Sequence, residues 1–344
     1  MNHIGEIMAS EISETPSIFA KILDNSSIFE GVKNLLHEKK IRSILILARG
    51  TSDNAAHFLK YLVETQLGLP CGLTSPSSVT IYRSTLHYDG TLIIAISQSG
   101  QSPDLVGFAT AAKSAGATLI SMTNDELSPL AKLADFHFSL NAGPELAVAA
   151  TKSYSAQLLI SYLLVSTWSG KEFNGRLLIS QAEKLAANKD LVSEAVASLS
   201  RNREIVVLGR GFAYPNAREA ALKIQETVKV SVQGLSTADY LHGPISALSS
   251  QTQVLLIAPA HTPAGSMEEA VSKIRMKVGQ LMWIGNGGSP TGDDIVVSGS
   301  QCDDEIVSTI ADAISLQRLA MEFAVRSGFD PDAPEGLSKV TLTN

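Results

Sequence analysis

The chain has 344 residues, 44% hydrophobic and 18% charged, with a formal net charge of −7. That balance suits a well-buried α/β protein long enough for two domains, and it argues against a disordered chain. No run of Lys and Arg stands out, which argues against a nucleic-acid partner, and no apolar run exceeds strand length, which argues against a membrane span.

In chain order, residues 1–10 lack the basic-then-apolar pattern of a signal peptide, so a cytoplasmic location is expected. Residues 1–40 read as a helical arm. A first strand, Ile44-Leu45-Ile46-Leu47-Ala48-Arg49-Gly50, leads into the polar turn Gly50-Thr51-Ser52-Asp53 and a helical pattern from Asn54. A second strand, 92–96, leads into Ser97-Gln98-Ser99-Gly100-Gln101-Ser102 and another helix. A third, 118–121, runs into Asn124, and together these make a domain over 41–170. Residues 171–202 read as a linker, with one long helix over about 177–199.

The pattern then repeats at an offset of about 160 residues. Ile205-Val206-Val207-Leu208-Gly209-Arg210-Gly211 matches the first strand and its turn, with a helical pattern from Asn216. Residues 255–259 match the second strand, and 280–284 match the third and run into Asn286. A second domain is expected over 203–328, followed by an extended tail over 329–344. Continuous apolar strands alternating with helices predict right-handed βαβ units. The fold class is therefore α/β, two tandem three-layer αβα domains, each with a doubly wound, mostly parallel sheet. Cys71 and Cys302 have no CxxC spacing and read as free buried thiols of a reducing compartment.

In open α/β sheets, ligands bind beyond the carboxyl ends of the strands. Two turns there are rich in hydroxyls, at 50–53 and 97–102. Hydroxyls plus backbone N–H groups at a helix start can hold an anion without any Lys or Arg. Ser102 can cap the following helix, with Pro103 in its first turn. The bland alternative is an ordinary serine-rich cap. The equivalent turn of the second half, Ala260-His261-Thr262-Pro263-Ala264, lacks the serines and glycine, so one half keeps the anion site.

Candidates for chemistry lie in the second half and the tail. Lys223 and Glu226 share a helix face, His242 precedes Gly243-Pro244, and Lys339 sits near the C-terminus. Taken singly they read as a surface ion pair, a structural histidine and a solvated charge. Taken together they supply a carboxylate base, a ring-opening His, and a Lys that forms a Schiff base or stabilises an oxyanion. The histidines are scattered and no metal-ligand spacing is visible, so no metal and no cofactor is expected.

These motifs together resemble the sugar isomerase (SIS) domain family, in the tandem arrangement of the isomerase half of glucosamine-6-phosphate synthase. They are Gly50-Thr51-Ser52, Ser97-Gln98-Ser99-Gly100, Asn141-Ala142-Gly143-Pro144-Glu145, Ala150-Thr151-Lys152, Leu222-Lys223 with Glu226, His242-Gly243-Pro244 and Leu337-Ser338-Lys339. The resemblance implies a flavodoxin-like domain fold. It implies that Thr51, Ser52, Ser97, Gln98, Ser99 and Ser102 hold the phosphate and nearby hydroxyls, with a backbone contact from Val148. It further implies that Glu226 moves the proton between C1 and C2 beside Lys223, and that Lys339 faces that end of the open sugar. His242 would open the ring, reaching the site across the interface of a homodimer.

The sequence departs from the family pattern in three places. Ser102 stands where the family has Thr, and Ala238-Asp239-Tyr240-Leu241 stands where it has Gly-Glu-Leu-Lys. The chain begins Met1-Asn2-His3, without the glutaminase domain and its cysteine nucleophile, so ammonia from glutamine is not expected in cis. The expected function is an isomerase-type enzyme on a hexosamine 6-phosphate, foremost a deaminase yielding fructose 6-phosphate and ammonia. A fructosamine-6-phosphate deglycase, a simple aldose–ketose isomerase and a non-catalytic sugar-phosphate sensor are the alternatives.

Overall fold

Ten parallel strands form two sheets of five in the computed structural model, whose described residues are 4–263, 265 and 267–339. Helices α1 (Glu6–Ser13), α2 (Thr15–Asp24) and α3 (Ile28–Glu38) precede strand β1 (Ser43–Leu47). Then come α4 (Thr51–Leu62), β2 (Cys71–Leu73), α5 (Ser77–Thr80), β3 (Thr91–Ile96), α6 (Pro103–Ser114), β4 (Thr118–Thr123), α7 (Pro129–Leu133) and β5 (Phe136–Ser139). Three helices follow, α8 (Lys152–Ser169), α9 (Gly175–Ala187) and α10 (Ser193–Ser198). The rest runs β6 (Ile205–Gly209), α11 (Ala213–Val228), β7 (Val232–Ser236), α12 (Thr237–Leu241), β8 (Gln253–Ile257), α13 (Glu268–Arg275), β9 (Met282–Ile284), β10 (Ile295–Val297) and α14 (Glu305–Arg326).

The chain divides into two compact units. Among the described residues, the β1–β5 unit comprises 18–145, 156–174 and 338–339, and the β6–β10 unit comprises 4–17, 146–155 and those of 175–337. The sheet orders are β2-β1-β3-β4-β5 and β7-β6-β8-β9-β10, the same order twice. Every pairing is parallel. Each order reverses next to its first strand, between β1 and β3 and between β6 and β8. That switch point is where a doubly wound sheet opens a crevice.

All six residues of both β3 and β4 are buried, as strands covered on both faces must be. On one face of the first sheet, Ile93, Ala95 and Leu119 pack with Leu105, Phe108 and Ala112 of α6. On the other, Phe29 of α3 stacks on Phe138 of β5 at 4.6 Å. In the second unit, Val206, Leu256 and Trp283 pack with Ala270 and Ile274 of α13. Asp294 locks the edge of that sheet. Its buried carboxylate takes the Trp283 indole N–H at 3.0 Å, the Leu281 N–H at 3.0 Å and a two-pronged bond from Arg275. Burial works against its charge, but Arg275 and these donors hold the carboxyl well below its usual range.

Several elements differ from the sequence expectation. The single helix expected over about 177–199 is two, α9 and α10. Asn188 breaks it, because its side-chain oxygen takes the Asp190 N–H at 3.2 Å in a local turn. Arg318 of α14 then satisfies the end carbonyls of Ala186, at 2.9 Å, and Asn188. Helices α4 and α11 start three residues earlier than the periodicity indicates, at Thr51 and Ala213. The tail over 329–339 is irregular with a turn at Glu335-Gly336, and its expected extended end lies outside the described residues. Cys302 is buried but Cys71 is only half-buried; both are free, and burial with Glu64 nearby pushes the Cys71 thiol up to about 12.

Candidate functional site

The β1–β5 unit brings both hydroxyl turns to its switch point, because β1 and β3 are neighbours in the sheet. Gly50, at φ 56°, turns the chain from β1 into α4, so Thr51 and Ser52 open that helix. Ser52 is buried and accepts a 2.9 Å bond from Gln157 of α8, which fixes its hydroxyl. After β3, the Ser97 N–H still bonds to Met122 at 3.1 Å, so the strand pairing continues into the turn. The Ser97 hydroxyl accepts the Gly100 N–H at 3.1 Å, and Ser99 accepts the Gln101 N–H at 3.3 Å. The Gln98 carbonyl takes the Asn124 N–H at 3.0 Å.

Gly100 is required in this turn. Its φ is 63°, and a Cβ there would lie 2.4 Å from the Ser128 hydroxyl, which caps α7. Ser102 is the residue before α6, with Pro103 first in the helix, but the expected side-chain cap is absent. Only its carbonyl bonds the helix, to the Val106 N–H at 3.0 Å, and its hydroxyl makes no hydrogen bond among the described residues. Pinned at two serines and open at a third, the turn has donors to spare for an anion.

The turn is not without a cation. Arg49, at the end of β1, donates from Nε to Asp104 in the first turn of α6 at 2.9 Å. Lys339, read alone as a solvated charge, is also paired: its Nζ lies 2.8 Å from the buried Glu145, in the same unit. Sequence reasoning finds Glu145 only as part of a motif, since its partner is 194 residues away.

The β6–β10 unit holds the remaining candidates. On α11, Glu219, Lys223 and Glu226 form one row at i, i+4 and i+7. Lys223 is 1% exposed and lies between the two carboxylates, 3.7 Å from Glu219 and bonded to Glu226. Glu219 is as buried as Lys223, whereas Glu226 is 24% exposed. This is a buried cation carrying one partly open carboxylate, not the surface pair that Lys223 and Glu226 suggest in isolation. Glu219 goes unassigned in the sequence because its role appears only when α11 buries that face. Nearby, burial and then Glu219 push the Tyr154 phenol well above its usual value, and the phenol donates to Asn216 at 2.9 Å.

His242 follows α12, which lies beyond the carboxyl end of β7. Its backbone N–H bonds to Asp239 at 3.1 Å, and its ring makes no hydrogen bond among the described residues. Val148 gives its N–H to the Asp332 carbonyl at 2.9 Å, so only its own carbonyl remains for a backbone contact. The structure therefore groups Thr51, Ser52, Ser97, Gln98, Ser99, Ser102 and Lys339 in one unit, and Val148, Lys223, Glu226 and His242 in the other.

The chain is similar to several known proteins. Residues 35–167 match the SIS domain family. The glutamine–fructose-6-phosphate aminotransferase (isomerizing) of Methanothermobacter thermautotrophicus is 31% identical over 338 residues, which is 96% of this chain and 56% of that protein. The protein of the same name from Pyrococcus horikoshii is 32% identical over 349 residues, covering 96% of this chain and 57% of that protein. The chain thus spans a little over half the length of these curated relatives. The C-terminal domain of glucosamine-fructose-6-phosphate aminotransferase from Francisella tularensis has the same fold, with a TM-score of 0.84 at 22% identity over 95% of this chain and 98% of that one. Residues 35–167 therefore match the SIS domain family, and the likeness to the two aminotransferases runs along 96% of the chain.

Proposed function

We propose that the chain is an isomerase-type enzyme that converts glucosamine 6-phosphate and water into fructose 6-phosphate and ammonia. The β6–β10 unit is, in this reading, a second SIS domain that has lost the anion turn. The shared strand order supports that, as does the matched use of Asn124 after β4 and Asn286 after β9. Asn124 donates to Gly143 and accepts from Ala142, and Asn286 both donates to and accepts from Gly299.

The observation that carries the reading is the Glu219–Lys223–Glu226 row. Burying a lysine on a helix face is costly unless it is paired, so the arrangement serves more than solubility. Glu226 has an open oxygen and a fixed cation beside it, which suits a carboxylate that takes a proton and returns it. The hydroxyls of Ser97, Ser99, Ser102 and Thr51 hold the phosphate. His242 protonates the ring oxygen and takes the proton of the C1 hydroxyl, opening the ring. Glu226 removes the proton from C2 and returns it to C1, while the C1 oxygen gains a proton and the C2 amine loses one, leaving an alcohol at C1 and a ketimine at C2. Water adds to that carbon and ammonia leaves. Lys339, paired with Glu145, faces the oxygen that gains negative charge, a role that suits a paired side chain better than nucleophilic attack does.

The reaction is tested by incubating the protein with glucosamine 6-phosphate and measuring ammonia and fructose 6-phosphate together. Both are expected in equal amounts, and Glu226→Gln should lower the rate by about 10²–10⁴-fold. Interconversion of glucose and fructose 6-phosphates without ammonia release would replace the deaminase with a simple isomerase. Activity confined to a fructosamine 6-phosphate would make it a deglycase. Tight binding without any turnover would leave a sensor.

A further inference from the structure

We infer that Arg49 is a further substrate-binding residue, whose guanidinium contacts the phosphate group held by the serine turn and gives the site its preference for a dianion over a neutral sugar. The inference rests on the proposal that the two hydroxyl turns hold a phosphate.

Arg49 joins those turns. Its carbonyl accepts the Asp53 N–H at 3.3 Å, which ties the residue to the start of α4. Its side chain crosses to the start of α6, where Nε donates to Asp104 at 2.9 Å. Asp104 is buried, and its other oxygen accepts the Leu105 N–H at 2.9 Å, so that carboxylate is committed within the protein. A guanidinium has five N–H donors on a rigid fork. One is used here, the side chain is 51% exposed, and neither Nη has a partner among the described residues. A planar fork with its two outer nitrogens open is the group that best matches two oxygens of a phosphate.

Charge points the same way. The net charge of −7 gives an approaching dianion no general attraction. An unpaired Asp104 two residues past Ser102 would repel it directly. Helix N-termini contribute only partial charges, and hydroxyls contribute none. Arg49 offsets Asp104 and is the full positive charge nearest the serine turn in the sequence of contacts just described.

The repeat supplies an internal comparison. Arg210 stands after β6 as Arg49 stands after β1, and its carbonyl takes the Ala213 N–H at 3.0 Å. The backbone role is therefore common to both halves. Arg210 makes no ion pair among the described residues, and the turn after β8 has no serine pair. A strand-to-helix turn of this kind does not itself require the side-chain clamp, which occurs beside the hydroxyl turn.

The competing explanation is that Arg49 serves only as the counterion of Asp104. Calorimetric titration with glucose 6-phosphate, using glucose as the neutral control, separates the two. Four proteins are compared: wild type, Arg49→Gln, Asp104→Asn and the double variant, which has no unpaired charge to disturb folding. Arg49→Gln and the double variant should both bind glucose 6-phosphate about 10- to 100-fold more weakly, the loss expected for a bond to a charged group. Asp104→Asn should bind as well as wild type or better. Recovery of wild-type affinity in the double variant would overturn the inference and leave Arg49 a counterion. Failure of the wild type to bind either glucose 6-phosphate or inorganic phosphate would instead overturn the phosphate site itself, and this contact with it.

Discussion

Asp312 of α14 is a buried carboxyl that the proposed chemistry does not use. It accepts the Ser300 N–H at 2.6 Å, yet burial outweighs that bond and pushes its pKa from 3.8 up to about 7. Between those two values the folded chain keeps a proton that the unfolded chain has released. Stability from this residue therefore falls as pH rises from about 4 to about 7, and is level above that. An asparagine at this position would keep the acceptor and carry no charge, so Asp312→Asn should stabilise the protein progressively over the same window. The gain should reach up to about 4 kcal/mol at pH 8. Urea unfolding at pH 4.5, 6 and 8 measures it, and a difference that does not change with pH would show that Asp312 is not held protonated. Residues of this kind are illegible in sequence, as is the Lys339–Glu145 pair, because each depends on which side chains the fold buries together. The hydroxyl turns are legible because each is one contiguous segment between a strand and a helix.

At the scale of elements, helix α1 is too short at 8 residues to stand alone, and its sequence offers no cap at Gly5. The cap comes from the other end of the chain. Asp332 accepts the Ile7 N–H at 3.1 Å and the Met8 N–H at 2.7 Å, while its carbonyl holds Val148. From α1, Glu11 accepts the N–H groups of Leu146 and Ala147. Glu14, in the turn after α1, pairs with the buried Lys152 at 2.8 Å. The segment 146–152 is thus held by two carboxylates from the N-terminal end of the chain and by a backbone carbonyl from near the C-terminal end. Asp332→Ala should cost about 1–2 kcal/mol, as the loss of a helix cap does. Hydrogen exchange should then quicken over both 6–13 and 146–152; quickening at α1 alone would mean that the carbonyl contact to Val148 survives without the cap. None of this is visible in the helical pattern of residues 1–40, which reads only as an arm. Strands β1, β3, β4, β6 and β8 are legible as long apolar runs, whereas β2, β5 and β10 are short and partly open, and carry no such run. The break between α9 and α10 escapes the sequence because apolar periodicity continues across Asn188 and Asp190.

For the whole molecule, the distribution of candidate residues bears on how many chains make a site. In the proposed reaction His242 comes from a second copy of the chain, in a symmetric dimer. Its ring makes no hydrogen bond among the described residues, which suits a group whose partners lie on another molecule or on the substrate. Glu226 is anchored to Lys223 within its own chain. The two residues can therefore be inactivated separately. Glu226→Gln and His242→Asn should each be inactive alone, with folding intact by melting temperature. Unfolded together in equal amounts and refolded, half of the dimers would contain one chain of each kind. If His242 crosses the interface, one of the two sites in such a dimer has both an intact Glu226 and an intact His242. Activity should then return to about a quarter of wild type, as the symmetry of a two-fold dimer requires. If His242 serves its own chain, every site in every dimer carries one lesion and no activity returns. A sedimentation profile of the wild type fixes whether the dimer forms at the assay concentration, so a failure to recover activity in a demonstrated dimer assigns His242 to its own chain.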